Sequence, residues 1–179
     1  MRRRQLILAL ASASTLTAIG ACDRHAVAYA ASATQMRSVG DFPSLARTKD
    51  QWRVVLPPNR FAVLFEHATE RPFSSPLDRE KRSGTFICAA CRLPLFRSSD
   101  KFDSGTGWPS FTRAIRKRTA TSRDLKLVLP RVEYHCARCG GHQGHVFDDG
   151  PPPTGQRWCN NGLALDFVPS GEKLPPLVI

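Results

Sequence analysis

The chain is predicted to fold as one mainly β domain with short N-terminal helices and a structural zinc site. Three observations predict it. Two C-x-x-C pairs, Cys88 with Cys91 and Cys136 with Cys139, have the spacing of metal-binding turns. From Gly84 onward the chain breaks into short apolar runs bounded by Gly, Pro and Asp. Before Gly84 the apolar residues recur at helical spacing instead.

Residues 1–30 are expected to be an export signal and not part of the fold. Arg2, Arg3 and Arg4 make a positive start, Leu6 to Ala21 is apolar, and Ala28-Tyr29-Ala30 offers a cleavage site after Ala30. Arg3-Arg4-Gln5-Leu6-Ile7 also resembles a twin-arginine signal, although no Ser or Thr precedes the arginine pair. Ile19-Gly20-Ala21-Cys22 resembles a lipoprotein signal with Cys22 as the lipidated residue. Cleavage and lipidation both stay open, as does an uncleaved anchor helix. Either of the first two exports the protein, to the periplasm or as a membrane-anchored lipoprotein. Membrane contact is expected only if Cys22 is lipidated, because no run of eighteen apolar residues follows the leader.

Residues 31–47 are small and polar and read as a linker, and residues 48–168 form the domain. Thr48 to Trp52 begins like a capped helix, with Trp52 and Val55 facing the core, and Pro57-Pro58 breaks it. Pro58 to His67 reads as a second helix with Phe61, Leu64 and Phe65 on one face. A Ser/Pro-rich crossing follows. Thr85-Phe86-Ile87 enters the first cysteine pair and Leu93 to Phe96 leaves it. Leu125–Leu129 and Val132–His135 are β-type runs flanking Pro130-Arg131, a predicted hairpin. Leu163–Val168 alternates as the closing strand, and residues 169–179 are an irregular tail.

The formal charge is +11. Part of it is a basic run, Arg113, Arg116, Lys117, Arg118 and Arg123, which could meet an acidic partner. No aromatic residues interleave with these charges, so the run is expected to be a solvated loop and no nucleic-acid partner is expected.

Two C-x-x-C turns can close a tetrahedral four-thiolate site around one zinc ion. The competing reading is a pair of disulfides or a redox C-x-x-C, but a redox motif normally occurs once and beside a βαβ pattern, which is absent. A closed four-sulfur site leaves no coordination position for a substrate, so chemistry has to lie elsewhere. Cys159 remains. A lone cysteine is more often a small buried hydrophobe than a nucleophile. Here the neighbourhood is polar, with Arg157 two residues before it and Asn161 two after. His142 and His145 lie between glycines just past the second cysteine turn. Together these residues can make a thiolate and a proton donor.

Three segments carry a resemblance. KFDSGTGWPSF (101–111), CGGHQGHVFDDGPPPTG (139–155) and RWCNNGLALDF (157–167) resemble the signatures of the type B methionine sulfoxide reductases, the peptide-methionine (R)-S-oxide reductases. Thr69-Glu70-Arg71-Pro72-Phe73 and both C-x-x-C pairs also match, so the resemblance runs from about Thr48 to Phe167. It implies two antiparallel sheets with peripheral helices and a zinc site on Cys88, Cys91, Cys136 and Cys139. It implies Cys159 as the catalytic cysteine, His145 and His142 as active-site histidines with His145 the first choice as acid, and Asn161 orienting an imidazole or the polar oxygen. Trp108 would hold the substrate methyl group and Phe147 would help to line that pocket. The implied substrate is oxidised methionine in proteins or peptides, and the chain is expected to act as a monomer.

The chain departs from the family pattern at Thr106, where many relatives carry a second cysteine that recycles the first. The resemblance therefore implies that an external thiol, such as thioredoxin or a periplasmic relative, reduces Cys159. Trp158 stands where tyrosine is common, with the expectation that it reshapes the pocket, and Gly162 where serine is common. Two other functions compete. A non-catalytic zinc-binding interaction module explains the four cysteines and the charge, but leaves Cys159, the histidines and Gly107-Trp108-Pro109 without a task. A Cys-His-Asn hydrolase would need an oxyanion site and another architecture.

Overall fold

The computed structural model describes residue 42, residues 45–125 and residues 130–179, all within one unit that spans residues 36–179. The export signal, most of the linker and residues 126–129 of the expected first hairpin strand lie outside the described residues. Among the described residues no helix is long and apolar enough to cross a membrane.

Helix α1 (Lys49–Val55) starts where Thr48 and Gln51 form a reciprocal capping box. Trp52 is buried and stacks on Phe65 at 5.4 Å between ring centroids. Val55 does not face the core as expected; it is 55% exposed. The helix ends there, and the extended residue Leu56 packs on the core in its place. Helix α2 (Pro58–Glu66) begins with proline in its first turn and ends at His67 in the left-handed conformation. Phe61, Leu64 and Phe65 are buried as predicted.

Two antiparallel sheets follow. Strands β1 (Gly84–Cys88), β2 (Pro94–Arg97) and β9 (Leu165–Pro169) form a three-stranded sheet in the order β2-β1-β9. The six-stranded sheet has the order β3-β4-β8-β7-β6-β5. Its members are β3 (Lys101–Phe102), β4 (Ser110–Phe111), β5 (Thr119–Asp124), β6 (Arg131–Cys136), β7 (His142–Phe147) and β8 (Arg157–Asn160). An aromatic cluster joins the sheets: Phe111 stacks on Phe96 at 4.2 Å and meets the edge of Phe86 at 4.9 Å.

A hairpin strand does pair with β6, and it is Thr119–Asp124; of the expected run Leu125–Leu129 only Leu125 is described. This strand is the edge of its sheet, so it need not be apolar, and Thr121, Ser122 and Arg123 are exposed. Leu125 is 71% exposed in the connection. The closing strand begins at Leu165, because residues Gly162–Ala164 make a turn of 3-10 helix first. The tail is irregular and returns to the domain: Val178 N donates to Cys91 O, and Arg47 donates to Ile179 O.

The cysteine turns sit between β1 and β2 and between β6 and β7, one in each sheet. They are built alike. Cys88 N donates to Leu93 O and Arg92 N to Cys88 O; Cys136 N donates to Gly141 O and Gly140 N to Cys136 O. Each turn closes on a left-handed residue, Arg92 at φ 64° and Gly140 at φ 72°. The four sulfurs are buried and lie within 4.8 Å of one another, with Cys91 and Cys136 at 3.4 Å and Cys88 and Cys139 at 3.7 Å. Four thiolates about 2.3 Å from one Zn²⁺ in a tetrahedron lie about 3.8 Å apart, so the donor set and its spacing fit one structural zinc ion. These contacts are far longer than a disulfide bond of about 2.05 Å. Hydrogen bonds from the other sulfurs hold the Cys91 thiol far down and push Cys88 and Cys139 up, as expected where like charges crowd one point.

Stripping the metal with a chelator, or substituting Cys91→Ser, should cost about 3 kcal/mol or more, roughly 10 °C in Tm. A thermal melt that does not move on metal removal would show that the sheets do not depend on this clamp.

Candidate active site

Strand β8 lies between β4 and β7, so Cys159 occupies the middle of the six-stranded sheet. Ser110 is its partner on one side and His145 on the other. Strand alternation puts Arg157 and Cys159 on one face and Trp158 on the other. Trp158 therefore does not reshape the pocket. It packs against Tyr134 at 4.9 Å and Phe96 at 6.4 Å, and its Nε1 donates to Gln156. The proline-rich loop between β7 and β8 returns the chain to the sheet. Gly150 N donates to Gly155 O, and Arg157 grips Asp149 bidentately at 2.7 and 2.8 Å.

Residues three apart on a regular strand face opposite ways. His142 and His145 nevertheless share a face because β7 contains a bulge. Gly144 pairs with Tyr134 and His142 with His135, so Gln143 is the extra residue. The two rings lie 5.5 Å apart. Gly144 is required here, since a Cβ at this position would sit 1.9 Å from the carbonyl oxygen of Cys159.

The histidines have different surroundings. His145 lines a pocket together with Cys159, Trp108, Phe147, Arg131 and Asn161. Its Nε2 donates to the buried carboxylate of Asp124 at 2.9 Å, which also accepts from Arg131 at 2.7 Å. His142 is buried behind it and does not line the pocket. Its Nδ1 donates to Glu133 Oε1, the same oxygen that accepts from His67 Nδ1 at 2.6 Å. Burial holds His142 down at about 4 against the pull of Glu133, so it is neutral near pH 7. Glu133 is itself buried, and its His67 hydrogen bond and three neighbouring imidazoles hold it below the usual carboxylate range.

Asn161 lines the pocket, but it does not orient an imidazole. Its Oδ1 accepts from Glu70 N at 3.1 Å and its Nδ2 donates to Gln143 O at 3.1 Å. Each polar end has a backbone partner that holds the wall, and Nδ2 keeps a second N–H. The residue that sequence reasoning missed here is Glu70. Its carboxylate accepts from Gly162 N at 2.6 Å and Leu163 N at 2.9 Å, and its carbonyl accepts the Trp108 indole N–H at 3.2 Å. One residue thus ties the Trp108 wall to the segment after Cys159. Gly162 fits this clasp, because a Cβ there would lie 2.0 Å from Ser75 Oγ. Asp124, Arg131 and Glu133 were also missed. Glu70 stands in a stretch already singled out, whereas Asp124 and Arg131 meet only once the hairpin register is known.

Burial pushes the Cys159 thiol up. The charge of Arg157 and hydrogen bonds from Thr106 and Arg157 oppose it, and Asp149 adds to the rise. A half-buried thiol beside an imidazole, with an aromatic wall, is suited to attack on a small apolar group that carries one polar atom.

Residues 56–169 match the family model described as the SelR domain. The chain is 50% identical over 124 residues to a protein of Bradyrhizobium diazoefficiens named peptide methionine sulfoxide reductase MsrB, covering 69% of this chain and 89% of that protein. Proteins of the same name from Pseudomonas putida (48% over 124 residues, 69% and 93% covered) and Methanosarcina barkeri (46% over 130 residues, 72% and 92% covered) are also similar.

Glu70→Gln would leave a single carbonyl oxygen to accept from Gly162 N and Leu163 N. It should cost about 1–3 kcal/mol in urea unfolding and weaken the hold on the pocket wall. An unchanged unfolding midpoint would remove Glu70 from that role.

Proposed function

The chain belongs to the SelR-domain family of peptide methionine sulfoxide reductases, and from that premise we propose that it reduces methionine-R-sulfoxide in proteins and peptides to methionine through Cys159. The observation that supports this most is Cys159 facing His145 across adjacent strands in a pocket walled by Trp108.

The chemistry follows from these neighbours. A sulfoxide sulfur is electrophilic and its oxygen is a strong hydrogen-bond acceptor. The thiolate of Cys159 attacks the sulfur, the oxygen is protonated and passes to Cys159, and the methionine sulfur leaves with the electron pair. The balance is thiolate plus proton plus sulfoxide giving sulfenic acid plus methionine. His145 is the proton donor in this reading: Asp124 occupies its Nε2, which leaves Nδ1 to serve the oxygen. His142, buried and neutral, supports Glu133 and the ring of His145. The indole N–H of Trp108 is already bonded to Glu70, so its ring presents an apolar wall to the methyl group, with Phe147 beside it. The zinc ion on Cys88, Cys91, Cys136 and Cys139 takes no part in the reaction and holds the frame.

Recycling is assigned to an external thiol of the thioredoxin kind. Among the described residues the other four cysteines sit in the metal cluster, and position 106 is threonine. Two thiols reduce the sulfenic acid to a thiol, giving water and a disulfide on the donor. Export of the protein rests on the arginine-led apolar start and the Ala28-Tyr29-Ala30 site. Mass spectrometry of the mature N-terminus distinguishes a start after Ala30 from a lipidated Cys22, and a start at Met1 would contradict export by either route.

With dithiothreitol as reductant, the zinc-loaded domain should turn over the R-sulfoxide of a peptide methionine and not the S-sulfoxide. Cys159→Ser should keep fold and zinc and lose turnover, and His145→Asn should lower kcat by about 10²–10⁴-fold. Activity on the S form alone, or on neither, would sink the assignment.

A further inference from the structure

The face of the β6–β7 pair that carries His145 holds a second group of ligating side chains. Alternation puts Glu133 and His135 on one face of β6, and the register sets Glu133 beside His145 and His135 beside His142. The bulge at Gln143 keeps both β7 histidines on that face. Three imidazoles therefore surround one carboxylate. A fourth, His67, reaches it from the end of α2, with its Nδ1 2.6 Å from Glu133 Oε1.

His67 ends its helix in a conformation that favours glycine. Its φ is 58°, the left-handed region in which helices commonly terminate on a residue without a Cβ. The chain accepts that strain and sets an imidazole over Glu133. One ligand atom each from His67, Glu133 and His142 then lie within 4.8 Å of one another. Both imidazoles use Nδ1, and both meet the same oxygen.

As hydrogen bonds, these contacts satisfy three polar groups. As ligands, the same groups form a set of two histidines and one carboxylate. Ligands about 2.1 Å from one ion in a tetrahedron stand about 3.4 Å apart, so the His67 contact has to open by about 0.8 Å. His67 can give way, because it closes a helix and 38% of its side chain is exposed. The same exposure lets an ion in and leaves a coordination position for water. Glu133 and His142 are buried and make a fixed floor. His135 stands beside them, with Nδ1 3.7 Å from the same oxygen and Nε2 3.0 Å from Ser122 Oγ. Imidazole nitrogens suit divalent first-row transition ions, whereas magnesium and calcium take oxygen donors. No ligand is shared with the four-cysteine cluster.

We propose that His67, Glu133 and His142 form a second metal site, which takes one divalent transition ion such as zinc, cobalt or nickel. The ion is held by two imidazole nitrogens and one carboxylate oxygen, and the Nδ1 hydrogens of the neutral rings pass to Nε2. The site lies behind the pocket and does not depend on the reductase reading.

The test is equilibrium dialysis of zinc-loaded protein, free of any histidine tag, against Co²⁺, with metal analysis and absorption spectra. One equivalent of cobalt should bind beside the retained zinc, and its spectrum should lack a thiolate-to-cobalt charge-transfer band. His67→Gly, which suits the left-handed backbone, should keep its zinc and bind cobalt about 100-fold more weakly. No cobalt beyond the zinc equivalent means a hydrogen-bonded trio only and overturns the proposal. A cobalt equivalent that His67→Gly retains overturns it too, as does a charge-transfer band with zinc released, which puts cobalt on the cysteines. If His67→Gly fails to take up zinc, His67→Asn decides by the same criteria, since asparagine also tolerates the left-handed region. None of these readings uses sulfoxide turnover, so each leaves the reductase assignment where it stands.

Discussion

Four buried sulfurs hold this molecule in register. One cysteine turn belongs to each sheet, so a zinc ion shared between them fixes the three-stranded sheet against the six-stranded one. The strand leaving the second turn is the strand that carries both histidines. A buried side chain continues the connection: Gln143 Nε2 donates to Cys88 Sγ at 3.5 Å, and Gln143 O accepts from Asn161 N and Nδ2. The metal cluster thereby reaches the segment of the nucleophile without entering the chemistry. In a domain of short strands and many turns, such a clamp supplies order that a small core would not.

From that fixed point, the bulge at Gln143 changes the parity of β7 and turns His142 onto the face of His145. Each histidine then finds its own carboxylate, Glu133 for His142 and Asp124 for His145. One imidazole is sealed behind and neutral, and the other stands in the pocket. Opposite them, Glu70 draws the Trp108 wall onto the backbone that follows Cys159. The site is therefore assembled from strands that are rigid by pairing and from one clasp between loops.

Much of this was legible in the sequence. The paired cysteine turns, the capped first helix, the Phe61–Leu64–Phe65 stripe and the pocket residues Cys159, His145, Trp108 and Phe147 announce themselves by spacing or by motif. What was not legible depends on register. The edge strand Thr119–Asp124 that pairs with β6 is polar, so no apolar run marks it. The side that Trp158 takes follows from alternation along β8, a strand too short and polar to be recognised beforehand. Val55 lost its core position because the helix ended under it. The separate surroundings of the two histidines, and the backbone partners of Asn161, needed the bulge and the Glu70 clasp, neither of which a linear pattern contains.

The central claim is that a single cysteine, Cys159, takes the sulfoxide oxygen with no second cysteine of the folded domain to relieve it. It is tested most directly by one turnover of zinc-loaded protein on an R-sulfoxide peptide without reductant, followed by dimedone trapping and peptide mass spectrometry. The account predicts one methionine released per protein molecule and the trapped sulfenic acid on Cys159. A disulfide joining Cys159 to another cysteine of the chain, or methionine released with Cys159 unmodified, would contradict it.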